Sequence, residues 1–339
     1  MNLTSVTKLN TNMKLGTKIE SQIDRTMVLE FTRVTEAAAR AAISYMGQGD
    51  KNAVDGAAVE AMRNALNSLD IKGTVVIGEG EKDEAPMLYI GEDVGTIEGR
   101  EYGAEFDIAV DPVDGTTLAS KGRDGAIAVL AAAEKGNFLN IPDVHYMDKI
   151  AVGPEMDINA YNFDMSAGEM VKIAAKQKGV QPSDIVVCML DRPRNESLMK
   201  SVVEAGGRMK LISDGDVAGS IDAAMEETGV DILIGRGGAP EGVITAAALK
   251  CLGGDMIGKL YFNDDEMRQK TLDRGIKDLD KVFTMEDLAK GEVLFCATGV
   301  TNGAMLDGVH RVAGGETTHS VVMRSRTETI RYIEAFHRS

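Results

Sequence analysis

Residues 111–116 read Asp-Pro-Val-Asp-Gly-Thr, directly after the mostly apolar run 106–110. Two carboxylates three residues apart stand where a strand ends, and a glycine and a hydroxyl follow where a helix starts. Such a junction can hold a hard divalent cation on its carboxylates and offer backbone N–H groups to an anion. Metal and phosphate binding within six residues points to phosphoryl chemistry. Glu79 stands in a similar place, after the strand-like segment 74–77 in Gly78-Glu79-Gly80-Glu81. In an open α/β sheet, ligands bind beyond the carboxyl ends of strands. If the two strands are parallel neighbours, Glu79, Asp111 and Asp114 converge, and three carboxylates in one pocket repel unless cations neutralise them. Mg²⁺ or Mn²⁺ suits an all-oxygen set. The plainer alternative makes Glu79 a turn acid, and Asp111 and Asp114 helix caps.

Four further groups carry polar side chains at element ends. Asp55 stands at the start of a predicted helix, where it serves as an N-cap or faces a metal. Glu241, in Gly237-Gly238-Ala239-Pro240-Glu241-Gly242, lies between a strand and a helix. It is either a first-turn acid or a carboxylate presented to a metal. Arg192 and Arg194 follow the strand-like segment 185–190 and suit phosphate, because the guanidinium fork is bidentate and permanently charged. The alternative is two solvated arginines. Asp214-Gly215-Asp216 follows another strand; its acids can accept from sugar hydroxyls or form a turn. Neither His145 nor His319 has the spacing of a nucleophile or zinc site, and no Gly-x-Ser-x-Gly or Walker A pattern occurs.

Periodicity predicts the elements that position these residues. Val28, Phe31, Val34, Ala38, Ala41 and Tyr45 recur at helical spacing from Met27 to Gly47. A second helix is predicted over 55–69, and strands over 74–77, 106–110 and 126–132. The last is almost wholly apolar, which predicts burial on both faces. Helices over 167–178, 197–205, 217–226 and 243–252 then alternate with strands over 185–190, 209–212 and 230–234. That tempo predicts a mainly parallel sheet with helices on its faces. Residues 263–280 read as a surface helix and loop, and 293–298 and 320–323 as further strands. Gly153-Pro154 marks a turn. The expected division is a flexible extension (1–25), a metal- and phosphate-binding α/β domain (26–155) and a second α/β domain completing the substrate site (156–339).

Composition narrows the partners. A net charge of −16 argues against nucleic acid and against an anionic membrane surface. Metals and a few basic side chains can still invert the local field for an anionic substrate. With no Trp and 19 Met, aliphatic residues and methionine must fill the core. Cys188, Cys251 and Cys296 neighbour apolar residues without metal-ligand spacing and read as buried free thiols, which predicts a reducing compartment. No segment is long and apolar enough to span a bilayer. The first 18 residues lack acids and an apolar core. They read as a solvated tail, with a remnant of an organelle-targeting peptide as the alternative. The expected location is the cytoplasm, or an organelle stroma under that alternative.

Together these strings resemble the class II fructose-1,6-bisphosphatases of bacteria and algae. The resemblance rests on Val76-Ile77-Gly78-Glu79-Gly80-Glu81 with Asp83-Glu84-Ala85-Pro86-Met87-Leu88-Tyr89, on Gly49-Asp50-Lys51-Asn52, on Ser213-Asp214-Gly215-Asp216-Val217 and on Gly237-Gly238-Ala239-Pro240-Glu241-Gly242. It runs in order from about Val28 to the C-terminus. Asp-Pro-x-Asp-Gly-Thr alone indicates only the wider lithium-sensitive, metal-dependent phosphatase superfamily.

The resemblance implies an α/β fold of layered α-β-α-β-α sugar-phosphatase architecture, two sheets with helices between and outside them. It implies hydrolysis of the 1-phosphate of fructose 1,6-bisphosphate, as in gluconeogenesis or Calvin-type metabolism, and leaves sedoheptulose 1,7-bisphosphate open as a second substrate. Two or more Mg²⁺ or Mn²⁺ ions are implied. Glu79, Asp111 and the Val113 carbonyl would hold one cation, and Asp111, Asp114 and Glu241 a second. Asp55 and Thr116 would orient or deprotonate the attacking water beside the metals. The N–H groups of Gly115 and Thr116 would take the 1-phosphate. Lys51, Tyr146, Arg192, Arg194, Asp214, Gly215 and Asp216 match positions around the substrate, with both arginines on the distal phosphate. A homodimer or homotetramer is implied.

Asp114 departs from the Glu usual in class II members, His145 resembles a one-residue insertion before Tyr146, Arg192 replaces a Lys of some members, and Asn195 replaces a His of several. The competing functions are an inositol- or nucleotide-phosphate phosphatase of the same superfamily, and a non-catalytic sugar-phosphate-binding regulator.

Overall fold

The computed structural model describes residues 27–80, 87–96, 105–141 and 144–339. The expected N-terminal extension and the Glu81–Pro86 part of the family string lie outside them. Helix α1 (Met27–Ile43) ends in turns that reach Gly47, as the periodicity predicts. Helix α2 (Lys51–Asn67) begins a turn earlier than expected. Asp50 is its N-cap, accepting from the Ala53 N–H at 3.0 Å, so Asp55 lies inside the helix and is not needed to cap it.

Then follow β1 (Lys72–Ile77), β2 (Asp93–Val94), β3 (Glu105–Asp114), α3 (Thr116–Ser120), β4 (Ile127–Glu134) and β5 (Tyr146–Val152). Next come α4 (Ala167–Lys178), β6 (Val186–Leu190), α5 (Glu196–Glu204), β7 (Arg208–Ile212), α6 (Asp216–Asp222), β8 (Ile232–Gly238) and α7 (Ala239–Leu252). The chain closes with β9 (Asp255–Tyr261), α8 (Asp265–Asp273), β10 (Val282–Thr284), α9 (Met285–Leu288), β11 (Val293–Gly299), β12 (His310–Val312), β13 (Gly315–Arg324) and β14 (Thr329–Arg338).

The strands form two sheets, one in the order β12-β13-β11-β4-β3-β1-β2 with β14 on β13, the other β10-β9-β5-β8-β6-β7. The layers are those expected. Helices α1 and α2 cover one face of the first sheet, and α4 and α5 the outer face of the second. Between the sheets runs α7, touching β3, β4, β11 and β13 on one side and β5, β8 and β9 on the other. A helix enclosed by two sheets must be apolar all round, and Val243, Ile244, Ala246, Ala247, Ala248, Leu249 and Cys251 are all buried. Its alanines let both sheets approach closely.

Two expectations are corrected. The second sheet is mixed: β6 runs parallel to β7 and β8, but β5 is antiparallel to both β8 and β9. The strand–helix alternation that suggested a parallel sheet holds only for β6, β7 and β8, and the apolar strands are buried on both faces because helices lie on either side of each sheet. Neither sheet stops at residue 155, because β5 precedes that point yet belongs to the second sheet, and β11 to β14 return to the first.

Candidate active site

Strands β1 and β3 are parallel neighbours, from Lys72 opposite Glu105 to Ile77 opposite Ala109. Their carboxyl ends therefore open on one side, and Glu79, Asp111 and Asp114 reach one cavity of about 700 Å³. The spacing of the two aspartates has a structural reason. On a regular strand, residues three apart point to opposite faces. Between Asp111 and Asp114 the pairing with β4 slips, three steps on β3 matching two on β4, from Val129 to Ile127. This bulge restores both carboxyl groups to one side, and Pro112, which has no N–H to give a ladder, sits within it. The turn beyond uses Gly115 at φ 95°, where a Cβ would lie 3.2 Å from the Ala126 Cα.

The walls come from both sheets. Every residue anticipated for the site lines this one cavity: Lys51, Asp55, Glu79, Asp111, Val113, Asp114, Gly115, Thr116, Tyr146, Arg192, Arg194, Asp214, Gly215, Asp216 and Glu241. His145 lines it too, and the neighbouring Tyr146 ring lies 4.8 Å from the Arg194 guanidinium carbon. Arg194 Nε donates to the Arg236 carbonyl at 3.0 Å. Asn195 is buried and structural: its Oδ1 accepts from Arg236 N–H at 3.0 Å and its Nδ2 donates to the Leu190 carbonyl at 3.0 Å. It ties the arginine-bearing turn to β8.

The Asp214-Gly215-Asp216 turn departs from a simple sugar-facing arrangement. Asp214 Oδ2 accepts from the Thr117 N–H at 3.0 Å, and its Oδ1 lies 4.0 Å from Arg192. Asp216 pairs with Lys149, and both side chains are buried. Thr116 Oγ1 donates to the Val113 carbonyl at 2.9 Å, and Val113 N–H to Asp111 Oδ1 at 3.0 Å.

Lys149 is the residue that sequence reading missed. It projects from β5, and its Nζ also donates to the Gly238 carbonyl at 3.0 Å. One ammonium thus ties the turn carrying Asp216 to the start of α7, which carries Glu241. The signal was a charged pair, Asp148-Lys149, inside an otherwise apolar run, since a buried lysine needs a partner. Gly237 and Gly238 were likewise read only as a turn. A Cβ on Gly237 would fall 1.8 Å from Asp216 Oδ2, and one on Gly238 1.7 Å from Glu241 Oε2. Both glycines make room for carboxylates.

The electrostatics are those of acids pressed together. Burial, then the neighbouring Asp55 and Glu241, push the Glu79 carboxyl up to about 8. Asp55 is raised by burial although Glu79 hydrogen-bonds to it. Burial and, next, the facing carboxylates Asp114 and Asp216 respectively hold Asp111 and Asp114 well above the usual carboxylate range. Glu241 is raised to about 7 by burial and Asp216, with Lys149 opposing.

Among the described residues no group of three or more His, Cys, Asp and Glu side chains is already arranged as a metal cage. The donors nevertheless fit hard cations: all are oxygens, they share one cavity, and Glu241 Oε2 is buried with no hydrogen-bond partner among the described residues. A buried oxygen without a donor is where a cation fits.

The chain matches the family described as bacterial fructose-1,6-bisphosphatase, glpX-encoded, over residues 25–337. It is 42% identical over 336 residues to the D-fructose 1,6-bisphosphatase class 2/sedoheptulose 1,7-bisphosphatase of Synechococcus sp. (strain JA-2-3B'a(2-13)), covering 93% of this chain and 96% of that protein. The identically named protein of Synechocystis sp. (strain ATCC 27184 / PCC 6803 / Kazusa) is also 42% identical over 336 residues, covering 93% of this chain and 97% of that one.

Proposed function

The chain belongs to the family of glpX-encoded bacterial fructose-1,6-bisphosphatases, and from that premise we propose that its carboxylate-lined cavity removes the 1-phosphate of fructose 1,6-bisphosphate, yielding fructose 6-phosphate. The observation that carries this reading is the make-up of one cavity, lined both by the acids Glu79, Asp111, Asp114 and Glu241 and by the basic pair Arg192 and Arg194. A molecule with a phosphate at each end matches both sets. An inositol or nucleotide monophosphate leaves the arginine pair unused, and a pure binding protein needs neither so many acids nor Thr116.

The enzyme is a metal-dependent phosphatase, and Mg²⁺ or Mn²⁺ is the proposed cofactor. Glu79, Asp111 and the Val113 carbonyl would hold one ion, and Asp111, Asp114 and Glu241 a second, with Asp55 beside them. Bound there, such ions neutralise phosphate charge and lower the pKa of water. The chain's own groups do the rest. Asp55, hydrogen-bonded to Glu79, accepts the proton of the attacking water. Thr116 Oγ1, held by the Val113 carbonyl, orients that water, and the N–H groups of Gly115 and Thr116 face the phosphate. Arg192 and Arg194 grip the distal phosphate with Tyr146 packed against Arg194, and Lys51 lines the same cavity. Asp214, Gly215 and Asp216 bound the sugar.

A second substrate, sedoheptulose 1,7-bisphosphate, is supported by the names of the cyanobacterial relatives. The proposed setting is carbohydrate metabolism in the cytoplasm, supported by three buried free thiols, with an organelle stroma as the other setting. A homodimer or homotetramer is supported by Ile330, Tyr332 and Phe336, exposed on the edge strand β14. Phosphate release from both sugar bisphosphates, with Mg²⁺ and Mn²⁺ compared, tests the reading. Turnover of at least one, abolished in Glu79→Gln, is expected; no turnover of either overturns it.

A further inference from the structure

A second chamber, of about 460 Å³, lies on the other side of the turn that carries Asp214 and Gly215. Those two residues line both chambers. Its volume falls within the roughly 300–1,000 Å³ of small-molecule sites. The lining is built from distant parts of the chain. Leu118 of α3, Ile127 of β4, Ile212 of β7, and Met305 and Leu306 after β11 give it an apolar surface.

The polar groups around this surface divide into committed and free. Lys210 pairs with Asp222 at 2.6 Å, Asp214 accepts from Thr117, and Asn302 Oδ1 accepts from the Gly308 N–H at 2.9 Å. The Arg123 guanidinium, the Ser213 hydroxyl and the Asn302 amide N–H have no partner among the described residues. These are donors, one of them a permanent cation. Asp124, also at the wall, has no partner among the described residues and supplies a carboxylate acceptor.

We propose that this chamber binds a small organic anion with an apolar body, and that its occupancy alters the grip of the neighbouring cavity on substrate. Arg123 takes the anionic group, Ser213 and Asn302 donate beside it, and the aliphatic surface covers the body. A hydroxyl or amino group on the ligand meets Asp124. The coupling element is the shared turn. Asp214 is held at once by the Thr117 N–H of α3 and faces Arg192, so a ligand seated against Ser213 and Gly215 bears on the distal-phosphate side of the catalytic cavity. The proposal of a site stands on geometry alone. Its effect on turnover rests on the function proposed above.

The probe is 1-anilinonaphthalene-8-sulfonate, an aromatic sulfonate, titrated by fluorescence into the full chain. One saturable site per chain is expected, weakened about tenfold by Arg123→Ala and lost on filling the chamber with Met305→Trp. Fructose 1,6-bisphosphate is expected to change probe affinity by a limited factor that saturates, since coupling is reciprocal. Arg123→Ala is expected to keep the turnover of the parent when no probe is present. Binding unchanged in both variants, no saturable binding, or competitive displacement by the sugar bisphosphate overturns the site. Saturable binding that leaves the KM for fructose 1,6-bisphosphate within 20% overturns the coupling alone. The binding arms need no catalysis, so their failure is distinct from failure of the assigned activity.

Discussion

Lys149 on β5 and Asp216 at the start of α6 form an ion pair with both side chains withdrawn from solvent, and the same ammonium holds the Gly238 carbonyl at 3.0 Å. Breaking a buried pair from one side leaves a charge without compensation, at a cost of about 3–5 kcal/mol. Lys149→Met is therefore expected to lose that much stability in urea unfolding, together with most activity. The double variant Lys149→Met/Asp216→Leu is expected to recover much of the stability and none of the activity. Equal stability of the single variant and the parent would show that the pair does not tie the two turns.

Gly238 faces the Glu241 carboxylate with no room for a methyl group, the added carbon falling 1.7 Å from Oε2. Gly238→Ala must turn that carboxylate away. Misplacement by about 1 Å near reacting atoms costs on the order of 10²-fold. The expected result is a kcat lower by about that factor with a melting temperature within a few degrees of the parent. Unchanged kcat would remove Glu241 from the catalytic set.

Stability of the metal-free protein should fall as pH rises. Glu79 and Glu241 are lifted to about 8 and about 7 in the folded state, against about 4.3 for an unfolded glutamate. Between those values the native state binds more protons than the unfolded state, so unfolding becomes easier with increasing pH. In chelator, the unfolding free energy is expected to drop by at least about 2 kcal/mol from pH 5.5 to pH 8, allowing for coupling among the acids. Adding Mg²⁺ or Mn²⁺ should restore more stability at pH 8 than at pH 5.5. A flat profile in chelator would contradict the clustering of these carboxyl groups.

Arg194→Ala should discriminate between substrates. A charge-assisted hydrogen bond to phosphate is worth about 1.5–3 kcal/mol. The KM for fructose 1,6-bisphosphate is expected to rise roughly tenfold or more, while that for a simple phosphate monoester changes little. Equal effects on both would take Arg194 off the distal phosphate.

Burial pushes the Cys188 and Cys251 thiols up to about 12, and Cys296 is higher still. All three are expected to ignore a thiol-specific aromatic disulfide reagent in the native protein and to react together in urea. Rapid labelling of the folded protein would contradict their burial.

Much of the site was legible in the sequence because its acids mark element ends. The Asp111–Asp114 spacing pointed to a strand end, though not to the bulge that turns both aspartates one way. Asp55 looked like a cap because Asp50 and Asp55 are both competent to start a helix, and hydrogen bonding alone decides between them. Lys149 escaped because the Asp148-Lys149 pair breaks the apolar rhythm of β5, hiding the strand itself. Strand direction escaped too. The α7 layer buries Ala131 on one sheet and Leu233 on the other, while Ile234 is buried under α4 and α5, as a parallel arrangement would have it, so hydrophobicity carried no sign of direction.

The most direct measurement follows the two phosphates of fructose 1,6-bisphosphate separately by ³¹P NMR, with the protein and Mg²⁺ or Mn²⁺. The account predicts that the 1-phosphate resonance disappears as inorganic phosphate and fructose 6-phosphate appear, and that Glu79→Gln abolishes the change. Accumulation of fructose 1-phosphate, or no change with the parent protein, would contradict it.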